Sequence, residues 1–154
     1  ICATFHDRRT MKMLARARAL RFAPLLALSL AAGCSDLGLD LGGEVAGLTI
    51  QDAGGTLVTV GATGSVSGTL GVARNASRTL TIVLRSAGGG VVTPGLGQSI
   101  RVTVTNPGVA TWTETGLGIG TLRGVAAGST SMRVDLMDSG TAAYTSPSIT
   151  IQVT

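Results

Sequence analysis

The sequence after residue 44 predicts an all-β domain, an antiparallel β-sandwich or barrel. Apolar and polar residues alternate there with a period of two, which places one face of a strand in a core and the other in water. Turn sequences rich in glycine separate these short segments. No long apolar stripe at helical spacing lies between them. Many short strands joined by tight turns are typical of sandwiches and barrels.

Four segments alternate most clearly, and we expect a strand at each of them: 78–85, 99–105, 132–136 and 149–153. Weaker segments of the same kind lie at 45–51, 56–60, 65–72, 108–113 and 121–124. Threonine, valine and isoleucine favour strands, because their branched side chains fit a pleated surface. The stretch 56–67 is longer than a minimal sandwich requires, and it leaves room for an added hairpin or edge strands.

The first part of the chain has the layout of an export signal. Its cationic residues are Lys12, Arg16, Arg18 and Arg21. An uncharged run of twelve residues follows at 22–33 and ends in small residues before Cys34. This run is too short for a transmembrane helix, which needs about 20 apolar residues. Residues 1–10 precede the first methionine, and we interpret them as an upstream extension outside the fold.

The segment Leu30-Ala31-Ala32-Gly33-Cys34 resembles the lipobox of bacterial lipoprotein signals, although Ala31 stands where that family usually has leucine. The resemblance implies that 11–33 is a signal peptide, cleaved before Cys34, and that Cys34 is acylated and attaches the protein to a membrane. Residues 34–44 would then be the lipidated cysteine and a flexible tether. Ser35 favours the outer membrane if the source is Gram-negative. The alternative is an ordinary signal peptide with a cysteine nearby by chance.

The chain after position 33 is close to neutral. Six arginines and seven carboxylates give it a net charge of about −1. This composition argues against nucleic acid as a partner, since such binding requires clustered positive charge. We expect the six arginines to lie on solvated strand faces. Only two aromatic residues remain, Trp112 and Tyr144, so a stacking platform for bases or sugars is not expected.

Enzymatic chemistry is not expected either. From Ser35 onward the chain contains no Lys, His or Cys, so Ser/His/Asp, Cys/His and Ser/Lys arrangements cannot be assembled. We expect no cofactor and no disulfide within the domain. Asp135 and Asp138 are the nearest carboxylate pair and a weak candidate for a Ca²⁺ site. Asp135 is expected on an outward strand face, and Asp138 in a hairpin turn.

The segment 106–134 resembles the C-terminal half of a bacterial immunoglobulin-like domain of group 2. The matching residues are Asn106, Pro107, Val109, Ala110 and Thr111, then Gly124, Val125, Ala126 and Gly128. The resemblance implies an immunoglobulin-like β-sandwich over 45–154, in which these residues are structural. Asn106-Pro107 would form a corner, Val109 and Val125 would point inward, and Gly128 would lie in a tight turn.

One departure from that family concerns tryptophan. The family usually has a tryptophan just before the Asn-Pro element, whereas the only tryptophan here is Trp112, which follows it. We expect Trp112 to pack in the core or at its rim rather than to form a binding platform.

Two kinds of function fit these observations. The first is a membrane-anchored envelope lipoprotein whose domain is a non-catalytic adhesion or interaction module, binding a protein or glycan through loops or an exposed edge strand. The second is a passive structural component of the envelope, or an accessory subunit of a larger complex. An exposed apolar patch would favour the first, and an evenly polar surface the second. In both, the membrane is a partner through Cys34.

Overall fold

The computed structural model describes residues 39–40 and 43–154, and every regular element in them is a β-strand. The strands are β1 (Leu39–Asp40), β2 (Val45–Asp52), β3 (Gly55–Val60), β4 (Val66–Gly68), β5 (Leu70–Val72), β6 (Ser77–Ser86), β7 (Val91–Val92), β8 (Gln98–Val104), β9 (Ala110–Gly116), β10 (Ile119–Gly124), β11 (Gly128–Asp138), β12 (Thr141–Thr145) and β13 (Ile149–Val153). No helix that could cross a membrane occurs in the described ranges. The predicted all-β class is confirmed.

The strands form two sheets. The larger sheet has the order β4-β3-β2-β6-β10-β9, and β7, paired with β1, continues along the same edge of β6 as β10. The smaller sheet has the order β5-β13-β11-β8, and β12 lies beyond β13 on the same edge of β11. All strand pairs are antiparallel except β13 with β5 and β1 with β7.

This arrangement is immunoglobulin-like. Strands β2, β6, β10 and β9 form one layer, and β13, β11 and β8 form the other, as in the four-stranded and three-stranded sheets of a constant-type immunoglobulin domain. Strand β5 extends the second layer by pairing parallel to β13. The predicted immunoglobulin-like antiparallel sandwich is confirmed.

The core lies between the two sheets, on the strand faces that alternation predicts. The larger sheet buries, among others, Leu48, Ile50, Leu80, Ile82, Leu84 and Leu122. The smaller sheet buries, among others, Ile100, Met132, Val134, Leu136, Ile149, Ile151 and Val153. Removal of this apolar surface from water is the main force that holds the two layers together.

The stretch 56–67 does add strands. β3 pairs with β2, and β4 pairs with β3, so a hairpin extends one edge of the larger sheet. The last strand of this extension, β4, has only three residues, which limits the backbone it offers to another chain. Three other strands, β1, β7 and β12, are not predicted from the sequence, because the two-residue strands β1 and β7 have no period and β12 lacks clear alternation.

The two ends of the sandwich differ in their turns. The β7 end comprises β7 and the turns at 87–90, 93–97, 117–118 and 139–140, and β2 begins there opposite Ser86. The opposite end comprises the turns at 53–54, 105–109 and 125–127 together with Thr154, whose carbonyl oxygen accepts a hydrogen bond from the N–H of Arg74 at 2.6 Å. The main chain therefore enters the sandwich at the β7 end.

Candidate functional site

The predicted lipidation site, Cys34, lies outside the described residues. The predicted upstream extension (1–10) and signal peptide (11–33) lie outside them as well. Of the predicted tether, 34–44, only residues 39–40 and 43–44 are described. Acylation of Cys34 and the boundaries of these segments stay predictions.

Asn106 and Pro107 form a corner after β8. The Oδ1 atom of Asn106 accepts a hydrogen bond from the backbone N–H of Gly108 at 3.0 Å, and the Asn106 carbonyl oxygen accepts one from the N–H of Val109 at 3.1 Å. The N–H of Asn106 donates to Oγ1 of Thr130 at 3.1 Å. A side chain that bonds the backbone two residues ahead stabilises a turn. The corner ties the segment before β9 to the start of β11.

The two segments that resemble the group 2 family, 106–111 and 124–128, meet in space. Gly124 pairs with Ala110 in the β9–β10 ladder, and both residues are buried. The N–H of Val125 donates to the carbonyl oxygen of Val109 at 2.8 Å. Thr111 lies one residue further along β9 and is half-buried. These contacts join the turns of the opposite end.

The sequence places Val125 inward, and the structure contradicts this, because the side chain is 38% exposed. Val125 follows the last residue of β10, where the chain leaves the sheet, so strand alternation no longer directs its side chain. Val109 is half-buried against the core, and Ala126 is half-buried too. Gly128 is the first residue of β11, after the bend at 126–127, and its φ of 146° is one that favours glycine.

Asp135 is the one buried carboxylate among the described residues, with 6% of its surface exposed. Its Oδ2 atom accepts a hydrogen bond from Arg101 at 3.1 Å, and its Oδ1 atom accepts one from the hydroxyl of Thr145 at 2.9 Å. The predicted outward face of β11 is correct for Asp135. The expectation that the arginines lie on solvated faces is confirmed at Arg101, whose side chain is 57% exposed although it pairs with the buried Asp135.

The weak Ca²⁺ candidate does not form a joint site. Asp135 and Asp138 are three residues apart on a stretch of β11 that pairs regularly with β8, so their side chains lie on opposite faces. Asp138 accepts hydrogen bonds from Gln98 Nε2 and Ser139 Oγ, both at 3.1 Å. Residues 39–40 and 43–154 hold no group of three or more His, Cys, Asp or Glu side chains that could bind a metal ion.

Loss of the buried carboxylate should destabilise the domain. We expect Asp135→Ala to lower the free energy of unfolding by about 1–2 kcal/mol, because it removes two hydrogen bonds, and the exposure of Arg101 limits the loss. Urea denaturation followed by circular dichroism measures this change. Asp138→Ala is the matched control in the same strand and should stay within about 0.5 kcal/mol of the wild type, as exposed positions do. Equal losses in both variants would contradict the assignment.

A polar depression of about 480 Å³ lies on the outward face of the smaller sheet, between β8 and β11. Its polar side chains are Arg101, Thr103, Thr105, Ser131, Arg133, Asp135 and Ser148. The hydroxyls of Thr105 and Ser131 are hydrogen-bonded at 3.0 Å. Arg133 is exposed, and within the described part of the chain no carboxylate is close enough to pair with it. The polar depression therefore presents hydroxyl groups and one unpaired guanidinium.

Trp112 packs against the core, as expected. It stands opposite Leu122 in the β9–β10 ladder, on the inward face. Its indole ring lies directly over Gly120, where any Cβ atom would overlap the ring. The indole N–H is buried without a hydrogen-bond partner among the described residues. Trp112 is therefore a rim residue of the core and offers no exposed aromatic face.

Arg78 closes the opposite end of the sandwich. Its Nε atom donates to Oδ2 of Asp52 at 2.8 Å, and another guanidinium nitrogen donates to the carbonyl oxygen of Gly71 at 3.1 Å. Because Gly71 belongs to the smaller sheet, this side chain links the two layers. The expectation of a solvated arginine is wrong at Arg78, which is half-buried, since it stands two residues before Leu80 and shares its inward direction. The hydrogen bond from Arg78 is the main cause that lowers the pKa of Asp52 below its ordinary 3.8.

The Arg78–Asp52 ion pair should contribute to the stability of the domain in a way that depends on pH. The folded pKa of Asp52 is lower than the unfolded one, so the contribution is complete above about pH 3.8 and is lost as the pH falls through the folded value. We expect the urea midpoint of the wild type to fall more steeply below pH 3.8 than that of Asp52→Asn. Glu114→Gln, at an exposed position, is the control. A pH profile of Asp52→Asn parallel to that of the wild type would contradict the prediction.

Exposed apolar side chains gather at the β7 end. Six large apolar residues of the described chain are exposed, and four of them form what we call the apolar cluster: Val91, Leu96, Leu117 and Ile119. Leu96 is fully exposed at the 93–97 turn. Leu117 shares a groove of about 230 Å³ with Val91 and Pro94.

A second cavity of about 480 Å³ lies at the same end, with Val45, Pro94 and Tyr144 among its lining residues. Burial raises the pKa of Tyr144 above its ordinary 10.0, and its hydroxyl has no hydrogen-bond partner in the described ranges. The phenol ring therefore contributes apolar surface to this cavity rather than a charge.

Fold and site together define an immunoglobulin-like β-sandwich protein. Its sequence matches no protein-family model and no curated protein. Similar solved structures include domains 4 and 5 of the S-layer protein SbsC, at 20% identity and a TM-score of 0.43 over 56% of this chain and 47% of that chain. They also include the Escherichia coli adhesin FdeC, at 30% identity and a TM-score of 0.33 over 54% of this chain and 27% of that chain.

The Yersinia pseudotuberculosis adhesin InvE is a third similar structure, at 24% identity and a TM-score of 0.35, over 55% of this chain and 24% of that chain. The match thus spans less than half the length of each of these three structures. Membership in the group 2 family stays a prediction.

Proposed function

We propose that this chain is a bacterial envelope lipoprotein, acylated at Cys34, that presents one immunoglobulin-like domain at a membrane as a non-catalytic interaction module. The observation that carries the proposal is the lipobox-like sequence Leu30-Ala31-Ala32-Gly33-Cys34, and the span from Cys34 to the fold is short. Leu39, which begins β1, follows Cys34 by five residues, and five residues reach at most about 18 Å. Acylation at Cys34 would therefore hold the sandwich close to the bilayer, and two or three acyl chains would make the attachment durable.

The residues available favour binding over catalysis. After Cys34 the chain has no Lys, His or further Cys, and its buried carboxylate, Asp135, is engaged by Arg101 and Thr145. The polar depression is the surface best suited to a protein or glycan partner, because its hydroxyls and the unpaired guanidinium of Arg133 can form hydrogen bonds. Strand β8 borders the depression and is an edge of the smaller sheet, so its backbone can contribute as well.

Mass spectrometry of the N-terminal peptide, from protein isolated out of its own envelope, tests the anchor. We expect Cys34 as the first residue, carrying a diacylglyceryl group. Cys34→Ala should abolish the modification and move the protein from the membrane fraction to the soluble fraction, whereas the neighbouring Ser35→Ala should leave both unchanged. An unmodified peptide that begins elsewhere would refute the lipoprotein proposal.

A photoreactive amino acid tests the interaction surface separately. Placed at Thr103, within the polar depression, it should crosslink an envelope protein or glycan in living cells. Thr113 is the matched control, because it is an exposed threonine on β9 of the larger sheet. Crosslinks from neither position would contradict an interaction module and favour a passive structural component.

A further inference from the structure

We infer that the β7 end of the sandwich rests on the lipid bilayer, with Leu96 and Leu117 of the apolar cluster inserted into its interfacial region. The inference rests on the proposed acylation of Cys34. It adds to that proposal an orientation of the domain and a second, non-covalent membrane contact.

The short segment between Cys34 and β1 determines which end of the sandwich faces the bilayer. Strand β1 pairs with β7, with Leu39 directly beside Val91, and neighbouring strands are about 4.8 Å apart. Since Leu39 can be no more than about 18 Å from Cys34, an acylated Cys34 brings Val91 and its neighbours near the bilayer. The opposite end is separated from β7 by the length of the sandwich, in which β11 alone has 11 residues and spans about 37 Å.

The surface of the β7 end suits lipid. None of the residues in its four turns, 87–90, 93–97, 117–118 and 139–140, is ionisable, and the charged residues Glu44, Arg85 and Asp138 lie at the strand ends beside these turns. Its apolar side chains are exposed, Leu96 fully and Leu117 by 53%. The opposite end instead carries the Arg78–Asp52 ion pair and Arg74, and Val125 is its one large exposed apolar residue in the described chain. The exposed apolar surface is therefore concentrated where the anchor would be.

The shape of the 93–97 turn favours lipid over a protein partner. Leu96 is flanked by Gly95 and Gly97, which have no side chains, and its own side chain is fully exposed. A protein would need a matching pocket for such an isolated leucine, whereas the bilayer interface accepts apolar side chains to a depth of about 5–10 Å without a pocket.

A spin label placed beside Leu96 tests the inference in the full lipidated protein. With Cys34 acylated, Gly95→Cys provides the single free thiol for a nitroxide, and it leaves Leu96 in place. In vesicles of phosphatidylethanolamine and phosphatidylglycerol, we expect collisions of this nitroxide with oxygen to increase severalfold relative to collisions with a water-soluble nickel chelate. A label at Ala127→Cys lies in an exposed turn of the opposite end. Its accessibility to the nickel chelate should be the same with and without vesicles.

One further variant and two contrary outcomes distinguish membrane contact from a protein partner and from a missing lipid anchor. Leu96→Ser with Leu117→Ser, combined with Gly95→Cys, should return the label to a water-like profile while the mass of the acylated N-terminus is unchanged. A water-like profile at Gly95→Cys in the unaltered, acylated protein would overturn the inference and leave the apolar cluster to a protein partner. Labelling of two thiols, at positions 34 and 95, would instead show that Cys34 is not acylated, and the proposed function would fail with it.

Discussion

Replacement of Leu122 by alanine is expected to lower the free energy of unfolding by about 3 kcal/mol, within the range of 2–5 for buried leucines. Leu122 is completely buried in β10, with β6 on one side and β9 on the other. Hydrogen bonds on both sides hold β10 in place, so the neighbouring strands cannot close the cavity that the substitution leaves. Urea denaturation measures the loss.

Leu117→Ala is the matched control for this prediction. It removes the same atoms from the turn that leads into β10, but its side chain is largely exposed, so we expect a change within about 0.5 kcal/mol in the absence of membranes. A loss of less than about 1 kcal/mol for Leu122→Ala would mean that the site collapses around the smaller side chain.

Gly120→Ala should destabilise the domain by about 1–3 kcal/mol, as expected when a packed core must accept an extra carbon. The added Cβ would overlap the indole of Trp112 and lie 2.7 Å from the carbonyl oxygen of Thr113. The indole must then leave its place over β10. Because Trp112 is the only tryptophan, a red shift of its fluorescence reports this displacement directly.

Gly71→Ala separates the steric effect from a general effect of replacing glycine in a strand. Gly71 lies in β5, where an added Cβ meets no atom within 4 Å, and the smaller conformational freedom of alanine in the unfolded chain favours folding slightly. We expect stability equal to or slightly above that of the wild type, with unchanged fluorescence. Unchanged fluorescence in Gly120→Ala as well would contradict the packing of Trp112 over β10.

The sequence predicts the strands that have a buried and a solvated face, because the period of two is a local property. Leu80, Ile82 and Leu84 illustrate this, since all three are buried as expected. The same rule fails at Val125, which lies just beyond the end of β10. At Arg78 the rule gives the inward direction but not the partner, since the side chain reaches out of the core to Asp52. Alternation gives the direction of a side chain only inside a paired strand.

The candidate site depends on long-range pairing and could not be predicted in the same way. Arg101 and Asp135 are 34 residues apart in the sequence, and they meet only because β8 pairs with β11. The apolar cluster likewise combines residues from β7, from β10 and from two separate turns. The nine residues that resemble the group 2 family lie close together in two segments of the sequence, and hydrogen bonds such as that between Val109 and Val125 join these segments at one end of the sandwich.

The position of β13 has a consequence for biosynthesis. This strand lies between β11 and β5 in the smaller sheet, yet about 100 residues separate its start, Ile149, from the start of β2 at Val45. A nascent chain that lacks β13 leaves β5 and one edge of β11 unpaired, so the smaller sheet cannot be completed until β13 has been made. Such non-local pairing is slow compared with helix formation. We therefore expect the smaller sheet to stay incomplete during synthesis, which suits a polypeptide that must be threaded unfolded through a translocation channel, as the proposed export would require.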